Sequence, residues 1–219
     1  MTEGKNLKIK ETFVLAFQNH KNRNFNTAEN LYKDVLKIDP NHFESIYLLG
    51  SLFAQKNDFD MAKNYYEKAN KIKPDDANTL YNLGLVFAEL GEIKKSINHY
   101  EKAITIRPGH TNTHNNLGII FLKLGEYKKA ISCYEKAIKV QPNNADAHNN
   151  LGVVFKQSGE LQKAKNYYEK ALTLESTSQK YNFNYGELLL ALNQHKKGLE
   201  YIKKGSGCIN FTKENFEII

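Results

Sequence analysis

The chain has 219 residues, of which 41% are hydrophobic and 25% charged, and a formal net charge of +7. Those proportions belong to an ordinary folded protein and exclude a disordered or low-complexity chain. Met1 to Lys10 holds no apolar core of signal-peptide length, no apolar run approaches a membrane span, and Cys133 and Cys208 supply no disulfide framework. A cytoplasmic location is the default expectation.

The prolines set the organisation. Pro40, Pro74, Pro108 and Pro142 are the only ones in the chain and follow one another at intervals of 34 residues. A fixed period of that length marks stacked supersecondary units. In chain order, residues 1–8 read as a polar N-terminal lead and residues 9–206 as about six repeats (9–42, 43–76, 77–110, 111–144, 145–178 and 179–206), with residues 207–219 as a tail. The first repeat is degenerate, since Ala16, Asn19 and Val35 replace the Gly, Phe and Ala of later units, while Leu15, Ala28 and Tyr32 keep its register.

In the regular repeats, Leu80, Leu83, Phe87 and Leu90 mark one amphipathic helix, and Ile97, Tyr100, Ala103 and Ile104 mark its partner. Gly50, Gly84, Gly118 and Gly152 recur in mid-helix, where Gly costs about 1 kcal/mol against Ala. This pattern predicts close helix approach, with Ala62, Ser96, Ala130 and Ala164 facing the glycines. Gly91-Glu92, Gly125-Glu126 and Gly159-Glu160 predict a helix stop followed by an acidic helix start. Asn41, Asp75, Gly109 and Asn143, each directly after a proline, are turn and N-cap residue types. The sixth unit departs furthest, with Tyr185-Gly186 and Leu189 in its first helix and Gly198, Ile202 and Gly205 in its second, where two glycines weaken the helical reading. The tail, Ile209 to Ile219, is more apolar than a polar cap, and is expected either to cap the stack or to begin a following domain.

L-G-x-x-F, A-x-x-x-Y-x-x-A and a closing Pro, recurring in register over roughly residues 9–206, resemble the tetratricopeptide repeat family. The resemblance implies an all-α fold, an α-solenoid of antiparallel helix pairs wound into a right-handed superhelix whose first helices line a concave side. It also implies a non-catalytic protein–protein interaction scaffold that binds an extended peptide segment in that groove. Asn82, Asn116, Asn150 and Asn184 stand directly before the Leu-Gly or Tyr-Gly pair, and Asn78, Asn112, Asp146 and Lys180 stand four residues earlier. An Asn side chain offers one acceptor and two donors, and a row of them can pair with peptide amides whatever their sequence. The row is similar to the asparagine ladder in the repeat arm of the nuclear and cytoplasmic O-linked N-acetylglucosamine transferases. Tyr47, Tyr81, Asn115, Asn149 and Phe183 stand beside it as stacking or pocket residues. Because similar arrays lead into glycosyltransferase, sulfotransferase and iron/2-oxoglutarate oxygenase domains, the alternative is a substrate-recruiting arm of a larger enzyme.

The chain itself carries no Gly-rich phosphate loop, nucleophile elbow or H-E-x-x-H run, so neither catalysis nor a cofactor is expected of it. His110 and His114 have a metal-like spacing, with His148 and Asp146 at related positions, but no ligand set is complete; His114 and His148 read as packing residues and no metal is expected. The clamp by which some members of the family hold acidic chaperone tails is missing: Phe13, Phe17 and Leu48 occupy its first places, and its basic pair is absent. Lysines recur beside glutamates, as at Glu101-Lys102 and Glu135-Lys136, which describes a solvated face rather than a nucleic-acid or membrane surface. The expected partner is a protein or peptide. Self-association through the terminal repeats is compatible with either functional reading.

Overall fold

The computed structural model describes residues 3–206 and, as backbone, residues 209–211 and 216–218. It divides after Pro108 into two compact units. The first holds α1 (Glu3–Lys21), α2 (Phe25–Ile38), α3 (Phe43–Gln55), α4 (Phe59–Ile72), α5 (Ala77–Glu89) and α6 (Ile93–Ile106). The second holds α7 (Thr111–Lys123), α8 (Tyr127–Val140), α9 (Ala145–Gln157), α10 (Leu161–Leu174), α11 (Gln179–Ala191) and α12 (His195–Ser206). A short antiparallel ribbon follows, β1 (Ile209–Phe211) with β2 (Phe216–Ile218), pairing Phe211 with Phe216. The repeats are thus all-α, as expected; the ribbon in the tail was not foreseen. Helix α1 begins at Glu3, inside the segment read as a polar lead. The other tail residues, Cys208 among them, lie outside the described residues, as do the tail's side chains. No helix among the described residues is long and apolar enough to cross a membrane.

Each pair is an antiparallel hairpin held by one recurring contact. A Cβ built on Gly84 would lie 2.5 Å from Cδ1 of the Tyr100 ring, and the same ring stands over Gly50 (Tyr66), Gly118 (Tyr134) and Gly152 (Tyr168). The tyrosine, not the small residue four positions before it, therefore demands the glycine. Ser96 does adjoin its glycine, but through a hydrogen bond from Oγ to the Gly84 carbonyl at 2.6 Å. These four tyrosines are almost wholly buried and, with Leu49, Leu83 and Leu151, carry the repeat cores. In the first unit Ala16, Tyr32, Leu49, Leu52, Tyr66 and Leu83 form one continuous cluster, to which Phe13, Tyr47 and Leu48 add partly buried surface.

The loops obey the sequence with one shift. Gly91, Gly125 and Gly159 adopt φ of 74°, 73° and 82°, the left-handed conformation that ends a helix. Arg23, Asn57 and Asn193 adopt the same conformation without glycine's freedom. The N-caps fall one residue later than expected after each proline. Asp76 caps α5 by accepting from Thr79 N at 2.7 Å and Thr79 Oγ1 at 2.6 Å. Asn144 accepts from Ala147 N at 2.8 Å, and His42 Nδ1 from Ser45 N at 3.2 Å. Glu92, Glu126 and Glu160 cap their helices without a side-chain bond to the backbone and instead pair with Lys95, Lys129 and Lys163 one turn on. In the sixth repeat the glycines admit the helix rather than weaken it. A Cβ on Gly205 would meet Phe183 N at 2.6 Å, and one on Gly186 would meet the Gly198 carbonyl oxygen at 2.8 Å, so α12 lies directly on the backbone of α11.

Candidate peptide-binding faces

The expected site residues all lie on first helices, and each unit presents its own set. In the first unit Asn78 and Asn82 sit one turn apart on α5. Asn82 is half-buried, and its Nδ2 donates to Tyr47 Oη on α3 at 2.9 Å. That bond leaves Asn82 its carbonyl oxygen and a second N–H. Burial pushes the Tyr47 phenol above its ordinary pKa, against the opposing hydrogen bond from Asn82, so it stays neutral and keeps an O–H to donate. Asn78 Oδ1 accepts from Arg107 Nη1 at 3.0 Å, which places a guanidinium beside the amide row. Nearby, Lys73 is bound to Glu44 at 3.4 Å and lies 3.9 Å from the centroid of the Phe43 ring.

In the second unit Asn184 on α11 repeats the arrangement: its Nδ2 donates to Asn149 Oδ1 on α9 at 2.9 Å. The interval is again one repeat plus one residue, as between Asn82 and Tyr47. Asn149 in turn donates to Asn150 Oδ1 at 3.4 Å. Asn150 is 7% exposed, so it is more a buried strut than a surface amide. Asn116 is half-buried and Asn112 exposed on α7, while Asp146 forms an exposed ion pair with Lys180 at 2.9 Å. The carbonyl oxygen of Asn115 is buried without a hydrogen-bond partner, while its Nδ2 donates to Asn144 at 3.3 Å. The structure therefore gives Tyr47, Asn149 and Asn115 hydrogen-bonding roles. The interval of 35 residues from Tyr47 to Asn82 and from Asn149 to Asn184 was visible in the sequence, but which residues would touch was not.

His148 and His110 make hydrogen bonds within the fold. His148, 7% exposed, donates from Nε2 to the Pro142 carbonyl at 2.9 Å. Asn182 takes that place in the next repeat, donating to the Ser176 carbonyl at 2.9 Å. His110 Nδ1 pairs with Thr113 Oγ1 in the first turn of α7. Cys133 is buried within α8.

Models of one repeat family match residues 50–91, 84–125 and 120–159 as "TPR repeat" and residues 145–178 as "Tetratricopeptide repeat". The chain is a tetratricopeptide repeat protein. Among solved structures, this TPR protein resembles MamA at 26% identity and a TM-score of 0.70, over 80% of this chain and 95% of that one. It also resembles PilF of Pseudomonas aeruginosa (18% identity, TM-score 0.78, 91% and 90% of the two chains). YrrB, described as a TPR protein with an unusual peptide-binding site, matches at 19% identity and a TM-score of 0.63, over 80% of this chain and 91% of its own. At such identities the last two show the fold alone. No curated protein sequence matches the chain. The TPR fold is a protein-interaction fold, and that is the level at which family membership speaks to function.

Proposed function

We propose that this TPR protein is a non-catalytic scaffold that holds an extended segment of a partner protein along the first helices of its repeats. In the first unit Asn78 and Asn82 make the contacts, and in the second Asn112, Asn116, Asp146 and Asn184 do, with the buried Asn150 behind them. The observation that carries the reading is the way Asn82 and Asn184 are held. Each half-buried amide donates one N–H to a residue one repeat back, which leaves its carbonyl oxygen and a second N–H for a peptide. Such preorganised amides lose little freedom when a peptide main chain pairs with them, so modest contacts suffice for binding. YrrB, a protein of similar fold, is described as having a peptide-binding site, which supports the same use of the fold here. No observation favours the enzyme-arm reading over this one.

The test is a paired capture from the source organism's lysate. One bait is the wild-type chain and the other carries Asn82→Ala, Asn116→Ala and Asn184→Ala; Asn150 is left intact because it is buried. Circular dichroism must show the same melting temperature for both. A partner recovered by the wild type and lost from the variant is the expected result. Equal recovery by both baits would remove the amide row from the mechanism.

A further inference from the structure

The amide row does not begin at the first repeat. At the place held by Asn82, the first two repeats carry Val14 and Leu48. Val14 is 47% exposed, and Phe17, one turn on, is 44% exposed. Phe17 and Leu48 line a recess of about 270 Å³ together with His20, Lys21, Arg23, Ser51 and Gln55. Its floor is rigid. Gln55 Nε2 donates to His20 Nε2 at 3.0 Å, which fixes the ring proton on Nδ1, and this lies 3.4 Å from Tyr32 Oη.

The rim of the recess is cationic. Lys21 Nζ stands 5.9 Å from the centroid of the Phe17 ring. Lys10, Lys21 and Arg23 have no carboxylate partner among the described residues, whereas an acid on each of the neighbouring helices α2 and α3 is engaged. Glu44 pairs with Lys73 and His42, and Glu29 with Lys33 and Lys56. Helix α1 as a whole carries Lys5, Lys8, Lys10 and Lys21 against Glu3 and Glu11. Arg23 also holds φ of 59°, in the loop position where Gly91, Gly125 and Gly159 stand in later repeats. A left-handed non-glycine residue is strained, so a cation is kept at this rim against the backbone's preference.

We infer that the recess is a specificity subsite for a partner peptide that carries a bulky apolar side chain followed by carboxylates. The apolar side chain would fill the space between Phe17 and Leu48, and the carboxylates would meet Lys21 and Arg23. This rests on the proposal that the partner is an extended peptide, and adds to it what kind of peptide the first-repeat end selects. The cations lie at the C-terminal end of α1 and in the loop after it, not at the clamp positions occupied by Phe13 and Phe17. The subsite therefore reads an internal acidic and apolar stretch rather than a terminal carboxylate.

Three fluorescein-labelled nonapeptides test this by anisotropy: one with a phenylalanine followed by two glutamates, one with alanine replacing the phenylalanine, and one with lysines replacing the glutamates. The wild-type chain binds the first at least about tenfold more tightly than the others, the scale of one lost charge-assisted contact. The double variant Lys21→Glu and Arg23→Glu reverses the preference towards the lysine peptide, a rescue that mere loss of structure cannot produce. Equal binding of all three peptides, or a preference untouched by charge reversal, would overturn the subsite. If that happens while the asparagine variant still loses its lysate partner, the subsite fails and the amide row stands. A fourth probe is the peptide of residues 209–219, whose Phe216-Glu217 pair has the same chemistry. Tighter binding of this probe, with dimers in sedimentation at the same concentration, would assign the recess to a second copy and overturn the partner-peptide inference.

Discussion

At the residue scale, the repeat is a contact between a tyrosine ring and a glycine. Because Tyr100 fills the space where a Cβ on Gly84 would sit, Gly84→Ala must push the ring or the helix aside. Overpacking of this kind costs about 1–3 kcal/mol, and a urea titration should show it as a lower midpoint with an unchanged slope. A buried histidine, His20, and a half-buried one, His99, give the chain a dependence on acid. Burial lowers the pKa of His20 below its ordinary 6.5, and burial followed by the charges of Lys102 and Lys95 does the same for His99. The folded state therefore binds these protons less readily than the unfolded chain. Their contribution is complete above 6.5 and is lost as the pH falls below that value towards the folded-state pKa. Protonated His20 would also lose its acceptor for Gln55. Melting temperatures between pH 7.5 and 5 should fall for the wild type and fall less for His20→Gln; parallel curves would dismiss His20 as the source.

At the element scale, helix ends carry the information. Asp76 satisfies both the N–H and the hydroxyl of Thr79, and Asp76→Ala should cost about 1 kcal/mol, read as a drop in melting temperature. Gly125, at φ of 73° with nothing near its Cβ direction, tests backbone strain free of packing, and Gly125→Ala should cost about 1 kcal/mol. The proline period, the stop glycines and the periodic apolar stripes made these helices legible residue by residue. The caps were missed by one position, because Asp75 and Asp76 are both capping types and only the traced turn selects between them. The second helix of the last repeat was undervalued for a related reason. A glycine lowers helix propensity locally, yet at Gly198 and Gly205 it lets two backbones approach, and that gain depends on the facing helix.

At the scale of the whole molecule, a net charge of +7 is spread through the repeats rather than gathered into one patch. Lys95, Lys129 and Lys163 each pair with a glutamate one turn away and lie over a phenylalanine ring. Exposed pairs of this kind contribute little stability, and the proposed contacts lie on the first helices instead. Changing the exposed Lys94 and Lys128 to Ala should therefore leave partner capture unchanged in the lysate experiment. Loss of the partner from that variant would move recognition onto the second helices.

The sequence by itself determined the period, the helix pairing, the family and the row of asparagines, because each rests on spacing along one chain and a repeat converts spacing into neighbourhood. Only the tertiary structure decided what those residues do. It decided that Tyr100, not Ser96, requires Gly84, because ring placement depends on the crossing of two helices. It decided that Asn82 leans on Tyr47 and Asn184 on Asn149, and that Asn150 is buried while Asn112 is open, although all of these belong to one sequence pattern. It also brought Phe17, Leu48, Lys21 and Arg23 to one recess from two repeats. Which amide is already spent and which is left to bind depends on the side chain one repeat away, and a hydrogen bond across that gap is decided by distances that sequence periodicity does not contain.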